Sequence, residues 1–205
     1  MFLRCLFAAA TMFLLGGCQG WKAETRLIPI SERDPIGLDG TYLTEEGKVT
    51  ITPGQDGLVV TASKKSDPPQ QELAFDFLRE ETEPLHSDSV LFEPALEEGQ
   101  TTPALDRTYL MESPIDTDEG ITGYQYDIVR ISRSPDGAEA SLSLFAVRCS
   151  TASEALAVRR DGDWCVFDDY ARLRAAAFDA LAWYDEARMS VEATTIKLKR
   201  KRSRK

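Results

Sequence analysis

Apolar and polar residues alternate with a period of two over much of this chain, and that alternation predicts strands. Residues 41–44 form a short candidate. Residues 48–52 alternate β-branched side chains with polar ones, and 58–62 repeat the pattern. Between them Pro53-Gly54-Gln55-Asp56-Gly57 has turn chemistry, because proline fixes φ and glycine accepts positive φ. A hairpin over 48–62 follows. Residues 73–77 suit a half-buried strand, and 89–92 and 107–111 are shorter candidates. Proline-rich or acidic stretches at 66–70, 79–88, 93–105 and 113–120 are expected as loops and turns.

The clearest hairpin pairs 124–132 with 139–148 through the turn Ser134-Pro135-Asp136-Gly137. Each strand is apolar on both faces. Tyr124, Tyr126 and Ile128 oppose Val129 and Ile131 on the first strand, and Leu142 and Leu144 oppose Phe145 and Val147 on the second. Such strands are expected in the middle of a fold, covered on both sides. Beyond Cys149, residues 150–158 are expected as a short helix or loop. Asp161-Gly162-Asp163 is a turn and 164–167 a short strand.

Asp168 and Asp169 then open a helix running to about Arg188, since acidic side chains favour the unsatisfied amides of a helix N-terminus. On it Tyr170, Leu173, Ala177, Leu181 and Tyr184 fall at spacings of three and four, one apolar stripe that Phe178 is expected to widen. Residues 191–198 are expected as a last strand. The sum is a β-rich α+β single domain: a curved antiparallel sheet or small barrel with one C-terminal helix packed on it.

Composition fits a folded globular chain of one domain, with 205 residues, 42% hydrophobic and 28% charged. The net charge is −10, unevenly spread. Lys197, Lys199, Arg200, Lys201, Arg202, Arg204 and Lys205 put seven positive charges in the last nine residues. A basic end of this kind can bind anionic lipid or anionic polysaccharide, or the acidic body in cis; the alternative is a solvated tail that binds nothing specific.

The N-terminus follows another pattern. After Arg4 comes an uncharged apolar run from Cys5 to Leu15, ending in small residues, which is the layout of a secretory signal. It is too short to span a bilayer, which needs about 20 apolar residues. Leu15-Gly16-Gly17-Cys18 then resembles the lipobox of bacterial lipoproteins: an aliphatic residue, two small residues and a cysteine. The resemblance covers only the first 18 or 19 residues. It implies cleavage before Cys18, lipid on that thiol and anchoring in the cell envelope. Several acyl chains hold a protein stably where one is marginal, as each buried methylene adds about 0.8 kcal/mol. Gln19 in place of an aspartate implies the outer membrane if the organism is Gram-negative, with the domain facing the periplasm. A single basic residue before the apolar run departs from the usual two or three. The expected divisions are signal peptide 1–17, lipidated tether 18–37, β-rich domain 38–196 and basic tail 197–205.

Processing leaves Cys149 and Cys165, and an even pair in an oxidising compartment reads as a disulfide, with free buried thiols as the alternative. A metal site needs more ligands, and His86 is the sole histidine. It sits in Pro84-Leu85-His86-Ser87-Asp88, the one place a Ser-His-Asp enzyme would have to use. Gly-x-Ser-x-Gly, Ser-x-x-Lys and phosphate-binding glycine loops are absent from the sequence. Carboxylates abound, as in Glu80-Glu81, Glu97-Glu98 and Asp168-Asp169, but abundance does not set two across a cleft. Asp116-Thr117-Asp118-Glu119-Gly120 lacks the spacing of a calcium loop. No catalytic residue, cofactor or metal is assigned.

Gly40-Thr41-Tyr42 is similar to the Gly-x-Trp strand entrance of lipocalins, with tyrosine in place of tryptophan. Three functions therefore stay open. One is a non-enzymatic envelope lipoprotein that binds or scaffolds an envelope protein. Another is a small-ligand carrier with a lipocalin-like cavity. The third is an envelope hydrolase using carboxylates or His86. Nucleic acid is not an expected partner for an exported chain.

Overall fold

The computed structural model describes residues 20–45, 47–55, 57–63, 70–81, 105–118, 120–134, 137–145, 147–149, 156–187 and 194–201. Eleven strands and one long helix appear among them. In chain order the strands are β1 (Gly20–Ala23), β2 (Gly40–Thr44), β3 (Gly47–Pro53), β4 (Leu58–Ser63), β5 (Gln70–Glu81), β6 (Leu105–Thr117), β7 (Gly120–Arg133), β8 (Glu139–Phe145), β9 (Arg159–Asp161), β10 (Trp164–Val166) and β11 (Thr194–Arg200). The helix α1 spans Tyr170–Ala187, between β10 and β11.

Eight strands close on themselves in the order β6-β5-β4-β3-β2-β11-β8-β7, with β7 returning to β6. All eight junctions are antiparallel. The fold is thus the β-rich domain with one packed helix that the alternation implied, in its barrel form. The 14 residues of β7 do two jobs. Its C-terminal half pairs with β8, from Ile128 opposite Phe145 to Arg133 opposite Ala140. Its N-terminal half pairs along the same edge with β1, Trp21 opposite Tyr126. β1 in turn carries β10, in parallel, and β9.

Period two sorts the side chains into two cores. Val129 and Ile131 of β7, Tyr109 and Met111 of β6, and Leu73 and Phe75 of β5 point into the barrel. They meet Tyr42, Val49, Ile51 and Leu198 there. The alternate residues Leu110, Tyr126, Ile128 and Leu78 point outward and are covered by α1. The central hairpin is therefore covered on both sides, as its two apolar faces required. Asp169 caps α1 through a bond from the Arg172 amide at 3.0 Å. The helix buries Leu173, Ala177 and Leu181 as expected, but Ala176 and Ala180 widen the stripe, both with no exposed surface. Phe178 stays 41% exposed instead. Methyl side chains let the helix lie close to the sheet, and the bulky ring has no room beneath it.

Other expectations need correcting. Residues 18–37 are not a tether from Gly20 onward. Trp21 is fully buried and Ile28 and Ile36 nearly so. Arg33 bridges to Asp76, and the Asp34 amide donates to the Phe75 carbonyl at 2.7 Å, on the strand edge that β4 leaves free. Residues 197–200 are not tail but strand, paired with β8 and β2. The expected acidic turn at 113–120 is mostly strand, because β6 runs on to Thr117. Pro114 fits there because β5 has stopped pairing at Glu112, leaving one edge of β6 free. Gly57 serves by its size, not by positive φ: a Cβ there would lie 2.1 Å from the Leu73 carbonyl oxygen. The expected strand at 89–92 lies outside the described residues.

Candidate functional site

The barrel interior is the first place to look for a ligand site, and it is occupied by side chains. Ile36 and Leu38 enter from the segment preceding β2 and join the interior cluster. At that mouth Arg133 donates to the Gly37 carbonyl at 3.4 Å and Arg200 to the Asp39 carbonyl at 3.1 Å. Tyr42 sits beside them, and burial raises its hydroxyl pKa despite the two guanidinium charges. Farther along the inward register of β7, beyond Val129, comes Asp127, half-buried and hydrogen-bonded by the Gln125 amide at 3.1 Å. Burial pushes its carboxyl up to about 6.

Among the described residues, clefts also lie outside the interior. The first, about 520 Å³, is lined by Lys22, Glu24, Arg159, Asp161 and Trp164, with Ile115, Thr122 and Gly123 opposite. Its charges are matched. Lys22 meets Asp161 at 2.5 Å and Arg159 meets Glu24 at 2.6 Å. The Lys22 ammonium holds the Asp161 carboxyl below the usual carboxylate range. Lys22 also lies over the Trp164 ring at 5.7 Å. Nothing in this arrangement supplies a nucleophile beside a base.

The second cleft, about 620 Å³, runs over the outer face of β7, β8 and β11 and the β2–β3 turn. Ser132, Ser141, Thr44, Lys197 and Lys199 line it, with Glu45 and Glu139. Lys197, Lys199 and Lys201 are exposed. Lys199 reaches Glu139 at 3.4 Å, but both side chains are more than 60% exposed, so the pair adds little. Arg200 points the other way, to the barrel mouth. The basic residues of the sequence thus divide. Lys197, Lys199 and Lys201 share an outward face, Arg200 closes the barrel, and Arg202, Arg204 and Lys205 lie outside the described residues.

The buried carboxylates are structural. Asp76 is 2% exposed and accepts from the Tyr170 hydroxyl at 2.9 Å and the Arg174 guanidinium at 3.1 Å, which ties α1 to β5. Burial raises its pKa, opposed by both partners. Glu112 is 1% exposed and accepts from the amides of Leu27 and Ile28 at 3.0 and 3.2 Å and from the Tyr126 hydroxyl at 3.0 Å. Burial and the Glu112 charge hold that hydroxyl well above the usual tyrosine range. Neither carboxylate faces a second one across a cleft.

Cys149 and Cys165 form a disulfide, with Cα atoms 5.5 Å apart. It fastens the segment after β8 to β10, beside Trp21 and Phe167. Cys18 and His86 lie outside the described residues. Asp116 and Asp118 are exposed at the tip of the β6–β7 hairpin. Sequence reasoning missed Glu112 and Asp76, although Asp76 did break an apolar run between Phe75 and Phe77. Comparison with protein-family models, with curated proteins and with solved structures finds no match for this chain.

Proposed function

We propose that the protein is a lipid-anchored envelope lipoprotein whose barrel is a non-enzymatic module that binds or scaffolds an envelope partner. The observation that carries the module reading is the filled interior. Tyr42, Phe75, Tyr109, Met111 and Ile131 occupy the space a carried ligand would need. The lipobox resemblance at Leu15-Gly16-Gly17-Cys18 supports the anchor, and Gln19 supports the outer membrane as its address. β1 begins at Gly20, so lipid on Cys18 would hold the barrel close to the bilayer, without a long tether. Outward lysines on β11 suit anionic lipid or polysaccharide.

The test is Cys18→Ser in the full chain, read by membrane fractionation and intact mass. The expected outcome is loss of the lipid mass and release from membranes or a block in maturation. Unchanged mass and unchanged fractionation refute the anchor. A lipocalin-like carrier is the second reading, favoured by barrel closure alone. Titration with an apolar fluorophore separates the two: saturable binding would favour the carrier, and none is expected.

A further inference from the structure

We propose that the outer face of β8 and β11, together with the exposed ring of Trp183, is the face this protein lays on an anionic phospholipid bilayer. The proposal rests on the reading of Cys18 as the lipid-bearing residue, and it names the surface that reading leaves open.

The first support is where the chain enters the fold. β1 and β8 lie end to end along one edge of β7: Phe145 pairs with Ile128, and Trp21 pairs with Tyr126 two residues away. Gly20 therefore starts next to the end of β8. Cys18 is two residues earlier, which limits it to about 7 Å of chain from Gly20. An anchor there brings the C-terminal end of β8 to the membrane.

The second support is what stands at that end. Phe145 packs on Tyr184 at 5.6 Å, and Tyr184 on Trp183 at 5.3 Å. Trp183 is 41% exposed, against none for Trp21. A partly exposed indole, with an apolar body and one donor, suits the boundary between acyl chains and headgroups.

The third support is charge. The outward positions of β8 are Glu139, Ser141, Ser143 and Phe145, and those of β11 are Thr195, Lys197 and Lys199, with Lys201 next in register. Ser143 and Thr195 hydroxyls meet at 3.1 Å between the aromatic and basic ends. Two acids stand against three lysines here, Glu139 within the face and Glu45 at its edge on the β2–β3 turn. The chain as a whole carries −10, so an anionic surface repels most of the molecule and attracts this face, which selects one orientation.

The experiment uses the full lipidated protein, reconstituted in phosphatidylcholine vesicles with and without phosphatidylglycerol, with brominated acyl chains as the fluorescence quencher. The half-buried Trp164 ring lies against Gly20, so the readout is made in a Trp164→Phe background. There tryptophan quenching is expected in the anionic vesicles, several-fold weaker in neutral ones, and lost when Trp183→Phe is added. Lys197→Glu with Lys199→Glu should reduce it to the neutral level while the protein stays anchored by mass and flotation. Anchored protein whose quenching ignores charge reversal, or whose Trp183 is never quenched, overturns the proposal. Retention on an immobilised anionic polysaccharide without quenching also overturns it, in favour of a glycan. If the intact mass shows no lipid, the anchor fails separately. The face is then read by co-sedimentation with the same vesicles. A loss of roughly fivefold in partitioning per lysine neutralised, and more per lysine reversed, supports the face; no loss overturns it.

Discussion

The two cores of this molecule are built on different plans. The barrel is assembled mostly from strands that follow one another in the chain: six of its eight junctions join consecutive strands, and β11 closes the other two against β2 and β8. Its buried side chains are mostly apolar, with the hydroxyls of Tyr42, Tyr109 and Ser113 and, farther along β7, the half-buried Asp127. The outer core collects β1, the segment around Cys149, β10 and α1 from distant parts of the chain onto one face of β5, β6 and β7. Charge and covalent bonds run through it: Glu112 holds the backbone at Leu27 and Ile28, Asp76 holds α1, and Cys149 is bonded to Cys165. Closing long loops is costly in entropy. Directional bonds specify how the returning segments dock where apolar contact alone would leave their position loose. The barrel interior, built mostly from consecutive strands and closed by the continuous ladders of β11, needs fewer such fastenings.

Removing one fastening should therefore hurt more than its size suggests. Glu112→Ala removes the acceptor of the Ile28 amide and takes one partner each from the Leu27 amide, the Tyr126 hydroxyl and Arg26, which keep Tyr126, the Thr25 carbonyl and Glu72 respectively. The expected loss is about 3–5 kcal/mol, in the range for breaking a buried ionic contact. Urea unfolding followed by circular dichroism measures it. A loss under 1 kcal/mol would mean that the outer core is held by packing, like the interior, and the contrast would fail.

The disulfide sharpens the same contrast by location. Its partners are 16 residues apart, so the loop it closes is worth about 3 kcal/mol in the chain-entropy description. Cys149→Ser with Cys165→Ser should speed amide exchange in β1 and β10 and leave β3 and the inward residues of β7 protected. Uniform loss of protection in both cores would show that they unfold as one unit.

The two plans also explain how much was legible beforehand. Strands such as β3 and β4 announce themselves by alternation, in Lys48 to Thr52 and Leu58 to Ala62, because one face of each is inside and the other lies outside the α1-covered part of the barrel. β1 does not. Gly20-Trp21-Lys22-Ala23 is too short to show a period, and its place is fixed by β7 and β10 on either side. β9 is equally brief. Glu112 misled for a related reason: it follows the expected strand 107–111 and looks like surface by residue type, yet it lies buried within β6, and neighbours distant in sequence decide what it faces. The site suffers most. The outward face of Lys197 and Lys199 could be predicted as basic, but not that Arg200 turns inward to seal a mouth. Nor does the sequence reveal that Trp183 is left exposed while Ala180 is covered.

Asp127 tests the interior from the opposite direction, because it is the one carboxylate placed on the inward register of β7. Its pKa is raised from 3.8 to about 6 by burial, against the bond from Gln125. Between those values the folded state binds more protons than the unfolded chain, so stability falls as pH rises through that window and is flat above it. At neutral pH the ionised group is therefore a cost. Since each pKa unit is worth about 1.4 kcal/mol and the side chain keeps some contact with solvent, that cost is about 1–3 kcal/mol. Asp127→Asn should stabilise the protein by this amount at pH 7 and by much less near pH 4. Chemical denaturation of both proteins at the two pH values measures the difference. A gain at pH 4 as large as that at pH 7 would show that the asparagine acts through packing. A loss at pH 7 would show that the ionised carboxylate supports this end of the barrel, and that the interior too relies on charge for its fastening.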